Sequence, residues 1–215
     1  ATKRETEPQK GDGGAFTQGS VGEFCARAGV LLADTRLWDA AVRGADYSWY
    51  RHEVNQNYAA FTGWHLGALY EYDPREEWLT SAVYYLRHFA TRDIGPSGAQ
   101  DGHNFFTGYG NITLRGMASV LKILPRNHPY YPELREKSVR YANQLLARRQ
   151  ADGRFAGRNR KYLGYRHALP GLFQLAEALP DAADVLRPVL LAMYAPDNGL
   201  VIARLARFLE YRASR

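Results

Sequence analysis

Side chains that could bind or transform a sugar are concentrated in three segments of this sequence. Aromatic rings stack on the apolar face of a sugar, and amide or guanidinium groups hold its hydroxyls and carboxylates. The first segment contains Asn55, Gln56, Asn57, Tyr58, Trp64 and His65. The second contains Asp101, His103, Asn104, Tyr109, Asn111 and Arg115, and the third contains Arg160, Tyr162, Tyr165, Arg166 and His167. These residue types indicate carbohydrate binding, and the arginines favour an acidic sugar.

The acidic side chains of the three segments are few for glycoside hydrolysis. That reaction normally uses two carboxylic acids, roughly 5 Å apart or further, and only Glu53, Asp101 and Asp152 are available. Two of these three belong to Asp-Gly pairs, which are typical of turns. β-Elimination from a uronic acid instead needs a neutraliser for the sugar carboxylate, a base for the C5 proton and an acid for the leaving oxygen. Asn or Arg can stabilise the enolate while Tyr or His moves protons, so the residue types favour C5 proton abstraction.

Several other chemistries lack their sequence motifs. The chain contains no Gly-x-x-x-x-Gly-Lys-Ser/Thr loop, no Gly-x-Ser-x-Gly elbow and no His-Glu-x-x-His pair. Its six histidines are never three or four residues apart, which excludes a zinc pair on one helix. Cys25 is the single cysteine, so an internal disulfide is impossible. We therefore expect neither a metal nor another cofactor.

Composition narrows the class of protein. The 215 residues are 46% apolar and 23% charged, as in a folded globular chain. The net charge of +6 favours an acidic partner, but no helix-turn-helix or aromatic RNA-binding signature is present, so we expect no nucleic-acid partner. The longest apolar stretches, such as residues 189–195, are far below the ~20 residues of a membrane span, so no span is expected.

Helical periodicity dominates the chain. Residues 1–19 are polar and predict an arm or linker, and residues 20–215 predict a single domain. No convincing run of strict alternation predicts a strand, so the predicted class is all-α. The clearest helix follows Asp73-Pro74, with Asp as its cap and Pro at its first position, and its apolar stripe is Trp78, Ala82, Tyr85 and Phe89. Two similar stripes are Leu134, Ser138, Tyr141 and Leu145, and Val185, Val189 and Met193.

A glycine-opened segment recurs along the chain and predicts paired helices. Its copies are Thr62-Gly63-Trp64, Thr107-Gly108-Tyr109 and Leu163-Gly164-Tyr165, with Gly22 as a degenerate fourth. Asp-Gly turns followed by an aromatic residue precede three copies, at 12–16, 101–105 and 152–155. We predict hairpins at about 20–50, 55–92, 104–149 and 162–195, and a last helix at about 199–212. The glycine-opened helices face inward and the charged helices face outward.

One hairpin resembles those of the α/α-toroid proteins, which include six-hairpin glycosidases, toroidal polysaccharide lyases and uronic-acid epimerases. The resemblance covers about 50 residues and rests on three motifs: Gly108-Tyr109-Gly110-Asn111, Leu124-Pro125-Arg126-Asn127-His128-Pro129 and Gln150-Ala151-Asp152-Gly153-Arg154-Phe155. It implies an incomplete (α/α) toroid of about four hairpins plus a C-terminal helix, with substrate bound where the inner helices begin. A closed ring usually has more hairpins, so we expect a second copy or a further chain segment to complete it.

The resemblance to toroidal lyases also implies roles for individual residues. It implies a catalytic set of His103, Tyr109, Arg166 and His167. It implies substrate contacts for Asn57, Trp64, His65, Asn104, Asn111, Arg115, Tyr162 and Tyr165. The expected partner is an acidic polysaccharide or oligosaccharide, and the expected location is extracytoplasmic, periplasmic or secreted.

Two alternatives stay open beside elimination. One is a uronide hydrolase, although the acidic pair of that family has no counterpart in this sequence. The other is a non-catalytic helical-repeat scaffold or carbohydrate-binding segment. Each candidate residue also has a structural alternative: His103 and Asn104 suit a helix cap, and the repeat-equivalent Trp64, Tyr109 and Tyr165 suit core packing.

Overall fold

All regular structure found in this chain is helical. A computed structural model describes residues 13–49, 56–98, 107–148 and 169–182, and no residue in these ranges lies in a strand. The helices are α1 (Gly13–Leu31), α2 (Thr35–Trp49), α3 (Gln56–Tyr72), α4 (Glu76–Tyr85), α5 (Thr107–Ile123), α6 (Tyr131–Leu146) and α7 (Leu169–Ala178). Leu86–Ala90 continues α4 as one turn of π-helix, and Pro180–Ala182 forms a 3₁₀ turn. The predicted all-α class is confirmed.

Alternate helices pack side by side. Extensive contacts join α1 to α3, α3 to α5 and α5 to α7, and we call these four helices the central row. The helix α2 packs mainly on α1, α4 mainly on α3, and α6 on α5. Most of α3 is buried, because neighbouring helices cover it on several sides. Among the described helices, none is both long and apolar enough to cross a membrane.

The central row packs closely because small residues lie at its contacts. A Cβ atom placed on Gly116 of α5 would lie 2.5 Å from the backbone oxygen of Ala60 on α3. That distance is well inside van der Waals contact, so the two backbones approach as closely as they do only because the side chain is absent. The core around this contact includes the fully buried Leu66, Leu114 and Met117. Burying such a side chain contributes about 1.5–3 kcal/mol relative to leaving it exposed.

Helix ends follow from local sequence at the turn between α1 and α2. Ala33 has a φ of 52°, in the left-handed region, and the N–H of Asp34 donates to the oxygen of Gly29 at 2.9 Å, which closes the end of α1. The carboxylate of Asp34 then accepts the backbone N–H of Arg36 at 3.0 Å, which caps α2. Hydrogen bonds from Arg36 hold the pKa of Asp34 down, at about 2.

The predicted stripe of α6 is confirmed, while the predicted start of α4 is wrong. Leu134, Ser138, Tyr141 and Leu145 are all buried against the core. Asp73-Pro74 does not open α4, because the helix begins at Glu76 with Arg75 in the capping position. The carboxylate of Asp73 accepts from the Arg75 side chain at 2.7 Å, so it is not available to cap the helix.

The structure also differs from two predictions about glycine-containing segments. Gly63 lies in the middle of α3 instead of opening it, whereas Thr107-Gly108-Tyr109 does open α5. The helix α1 begins at Gly13, so residues 13–16, predicted as part of an Asp-Gly turn within an arm, are helical. The other Asp-Gly turns, Gly164, the stripe of Val185, Val189 and Met193, and the helix predicted at 199–212 lie outside the described residues.

Candidate functional site

Three of the predicted substrate contacts lie on α3 and are buried. Asn57, Trp64 and His65 are all enclosed by neighbouring helices, and His65 has no exposed surface. Phe61 stacks on Trp64 with a ring separation of 5.7 Å, which adds to the packing of α3. The three side chains are therefore part of the packed interior of the helix bundle.

The environment of His65 is apolar and tight. A Cβ atom on Gly22 of α1 would lie 2.4 Å from the His65 ring, so glycine at that position makes room for the imidazole. Neither ring nitrogen has a well-formed hydrogen bond within the described part of the chain, although the backbone of Ala41 is close enough to act on the ring. Burial lowers the pKa of His65 to about 4, and the backbone of Ala41 offsets only part of that shift. His65 is therefore neutral at pH 7.

Arg115 on α5 contacts the other three helices of the central row. Its Nε donates to Oε1 of Gln174 on α7 at 3.1 Å, and its Nη2 donates to Oε2 of Glu23 on α1 at 3.2 Å. Its guanidinium carbon lies 3.2 Å from the centre of the Trp64 ring on α3. This geometry combines an ion pair, a hydrogen bond and a cation–π contact. One side chain thus ties together α1, α3, α5 and α7.

A chain of alternating charges continues from Arg115 along the same side of the row. Glu23 also accepts from Arg27 Nε at 3.0 Å, and Arg27 pairs with Glu71 at 3.0 Å. Glu71 in turn accepts from Lys122 Nζ. Glu23 and Arg27 lie four residues apart on α1, so they share one face of that helix. Arg115 and Lys122 lie seven residues apart on α5 and also share a face. The pairing crosses from α1 to α3 and on to α5.

The charges in this chain hold one another ionised. Burial alone would lower the pKa of Arg27, but the carboxylates of Glu71 and Glu23 outweigh burial and raise it. Burial would likewise raise the pKa of Glu71, but the hydrogen bond from Lys122 and the charge of Arg27 outweigh it and lower the pKa. A carboxylate with a lowered pKa is a poor base for the C5 proton of a sugar. Glu71 is therefore better suited to hold cations in place.

These charged side chains line an open cleft, which we call the charged cleft. Its volume is about 340 Å³, and its walls are Glu23, Arg27, Arg115, Lys122, Pro170, Phe173, Gln174 and Glu177. A second cavity of about 670 Å³ lies at the ends of α5 and α7 and shares Lys122 and Glu177 with it. Pockets for small ligands commonly measure about 300–1,000 Å³. The charged cleft thus has the size of a ligand pocket and continues into further space past Lys122.

The two remaining described candidates, Asn111 and Tyr109, lie near the start of α5. Oδ1 of Asn111 accepts the backbone N–H of Gly171 at 2.7 Å, in the first turn of α7. It therefore satisfies one of the N–H groups that a helix start leaves unpaired. Tyr109 is half-buried and lies six positions before Arg115, which places the two side chains on different faces of α5.

The structure and the sequence prediction share only part of the site. The remaining candidates, His103, Asn104, Tyr162, Tyr165, Arg166 and His167, lie outside the described residues. Sequence reasoning missed Glu23, Arg27, Lys122, Gln174 and Glu177. The spacing of Glu23 and Arg27 was a visible signal for a helical ion pair, but their other partners, Arg115 on α5 and Glu71 on α3, are far away in sequence.

The described residues form no cluster of metal-ligating side chains. No group of three or more His, Cys, Asp or Glu side chains that could hold a metal ion occurs within them. The chemistry on offer in the charged cleft is electrostatic and hydrogen-bonding: guanidinium and ammonium groups for an anion, and carboxylates and an amide for hydroxyls.

No family model, curated protein or solved structure matches this chain. The assignment of function therefore rests on the residues and geometry described above.

Proposed function

We propose that this chain is a carbohydrate-active protein of the α/α-toroid type that binds an acidic, uronic-acid-containing saccharide in the charged cleft. The observation that carries the proposal is the meeting of Arg27, Arg115 and Lys122 around one open cleft of about 340 Å³. Three cations from two helices give a site for an anionic group, and Arg favours a planar carboxylate. Glu177 and Gln174, which also line the charged cleft, suit sugar hydroxyls. A polysaccharide ligand would place the protein outside the cytoplasm.

The ion pairs of the charged cleft would favour an acidic saccharide over a neutral one. A ligand carboxylate must compete with Glu23 and Glu71 for the cations, because these carboxylates already accept from Arg115, Arg27 and Lys122. A neutral sugar gains nothing to offset that disturbance, whereas a uronate supplies a replacement charge. The continuation of the charged cleft into the cavity of about 670 Å³ gives neighbouring sugar units a place to lie.

The reaction that we propose is β-elimination or a related abstraction of the C5 proton of a uronate. Arg115 would neutralise the sugar carboxylate, which makes the C5 proton more acidic and stabilises the enolate. Proton transfer would fall to two candidates from the sequence, His103 and His167, because Tyr109 lies on a different face of α5 from Arg115, and Arg166 would add to charge stabilisation. Whether these residues approach the charged cleft decides between a catalytic and a purely binding protein.

A second candidate, a non-catalytic helical-repeat scaffold, is favoured by one specific observation. Arg115 has partners on α1, α3 and α7, and Arg27 lies between Glu23 and Glu71. Such a network can exist simply to hold the central row together. In that case no acidic saccharide would bind at the charged cleft.

A binding measurement tests the first part of the proposal. Titration calorimetry with uronate oligosaccharides and with neutral oligosaccharides of the same length should show binding of the acidic series only. Lys122→Gln should weaken it about fivefold, since one ion pair in a partly exposed site contributes about 1 kcal/mol. Arg140→Gln is the matched control, because Arg140 is a paired cation on α6, outside the charged cleft. Equal loss in both variants, or equal binding of neutral sugars, would refute binding at this site.

Absorbance at about 235 nm tests the reaction, since elimination creates a conjugated unsaturated uronide. We expect a rise with an acidic polysaccharide that is lost in His103→Ala or His167→Ala. Release of reducing ends without this absorbance would indicate the hydrolase instead. Binding with neither signal would leave a carbohydrate-binding scaffold, and no binding at all would overturn the proposed function.

A further inference from the structure

One face of α1 is apolar and uncovered. Val21, Phe24, Leu31 and Leu32 expose 48%, 65%, 84% and 67% of their surface. Together with the half-buried Ala28 they form a strip that we call the α1 strip. The opposite face of the same helix, which includes Gly22 and Ala26, is buried, and Gly22 packs against His65 of α3. A helix that is apolar on both faces is typical of one covered on both sides.

The spacing along the α1 strip is that of a helix–helix seam. Val21, Phe24, Ala28 and Leu31 follow one another at intervals of three, four and three residues, the a/d pattern of coiled coils. No charged residue occupies these positions. The four large apolar side chains of the strip are 48–84% exposed and form a patch on the order of a few hundred Å², the range of the main interaction patch of a typical monomer. The strip therefore fits another apolar helix.

We propose that the α1 strip pairs with the α1 strip of a second copy of this chain, with the two helices antiparallel about a two-fold axis. In that register Phe24 of each copy faces Ala28 of the other, and Val21 faces Leu31. The two central layers of the seam then each pair Phe24 of one copy with Ala28 of the other, so a large residue meets a small one in both. A parallel pair would set Phe24 against Phe24 and Ala28 against Ala28, which leaves one layer crowded and the next one hollow. The antiparallel register is also self-complementary, as a two-fold interface requires.

The surface area of the contact indicates the affinity of the dimer. Two copies together would remove about 1,000 Å² of surface from water, which is at the lower limit for a specific interface. We expect a reversible dimer with a dissociation constant in the micromolar range. The pairing adjoins the charged cleft at Arg27, which lies on α1 directly before Ala28, whereas Arg115, Lys122 and Gln174 lie on α5 and α7. The inference does not use the proposed ligand.

Sedimentation equilibrium of the full chain over a range of concentrations tests the dimer. Phe24→Glu should raise the dissociation constant at least tenfold, because a carboxylate would be buried in the seam. Val30→Glu is the matched control: Val30 is also on α1 and 46% exposed, but it lies off the strip. Circular dichroism must show that both variants keep the helical content of the parent. A parent that stays monomeric at 100 µM, or equal weakening by both variants, would overturn the proposal.

A size swap tests the register itself. Phe24→Ala alone should weaken the dimer, because it leaves both central layers hollow. The double variant Phe24→Ala with Ala28→Phe should restore it, since each layer again pairs one Phe with one Ala. Failure of the swap to restore the dimer would overturn the antiparallel register. A monomer in which the strip is protected from hydrogen exchange would show that another part of this chain covers it, which also overturns the pairing of two copies.

Discussion

The guanidinium carbon of Arg115 lies 3.2 Å from the centre of the Trp64 ring. Trp64 is buried, so the cation covers an aromatic face that would otherwise meet the cleft. A sugar entering the charged cleft would therefore meet the guanidinium before the ring. The contact links α5 to α3, and Glu23 and Gln174 extend the link to α1 and α7. Arg115 thus holds the central row together, in addition to the binding role that we propose for it.

Replacing Arg115 should loosen the central row. We expect Arg115→Gln to lower the free energy of unfolding by about 2 kcal/mol, because it removes a partly buried ion pair and a cation–π contact. Urea denaturation measures the change. The control is Arg135→Gln, whose exposed pair with Asp181 should contribute under about 0.5 kcal/mol. Equal effects in the two variants would show that Arg115 does not join the helices as described.

Asn111 offers a test that separates a capping role from a ligand-binding role. Asn111→Ala removes the acceptor for the N–H of Gly171 and should cost about 1 kcal/mol of stability. Asn111→Asp keeps an acceptor and adds a negative charge at the start of α7, so it should match the parent or exceed it slightly. Thermal unfolding of both variants measures this. If Asp at this position is as damaging as Ala, the side chain does not cap α7.

Local periodicity explains which parts of the fold were predictable. The α6 stripe was predicted correctly because each buried position follows from a repeat of three or four residues within one helix. The start of α4 was not, because Asp73 has two possible uses, as a helix cap or as a partner of Arg75, and the structure shows the second. The burial of Asn57, Trp64 and His65 depends on helices distant in sequence, which composition does not reveal.

The charged cleft likewise depends on contacts between residues that are distant in sequence. Glu23 and Arg27 are four residues apart, so their pair could be inferred from α1 alone. Glu23 and Arg115 are 92 residues apart, and only the packing of the central row brings them together. The sequence marked Arg115 as a candidate because of its type and position. It offered no way to find Lys122 or Glu177, which resemble ordinary surface charges on helices.

The contact between α3 and α5 predicts an unusual response to alanine. Gly116→Ala should lower the free energy of unfolding by about 1–3 kcal/mol, because the new Cβ would lie 2.5 Å from the oxygen of Ala60. In an open helix the same change would stabilise by up to about 1 kcal/mol. The matched control is Gly95→Ala, where nothing lies within 4 Å of the new Cβ. Chemical denaturation of the two variants should therefore give clearly different midpoints, and similar midpoints would contradict the close approach.

His65 should make the protein less stable in mild acid. The pKa of His65 is lowered from 6.5 to about 4 in the folded chain, so between these pH values the unfolded state takes up a proton that the folded state does not. Stability is full above pH 6.5 and falls as the pH drops toward 4, by at most about 1.4 kcal/mol per pH unit. Below that window, protonation of Glu71 and Asp93, whose pKa values are lowered, removes further stability.

Two histidine variants isolate this effect. His65→Leu should flatten the dependence between pH 6.5 and 4 with little change at pH 7, because the neutral, buried ring loses only its weak contact with the Ala41 backbone. His88→Gln, at an exposed position in the π-helical turn after α4, should leave the dependence unchanged. Urea denaturation at several pH values measures both. An unaltered slope in His65→Leu would show that the imidazole titrates freely, which its enclosure between α1, α2 and α3 should prevent.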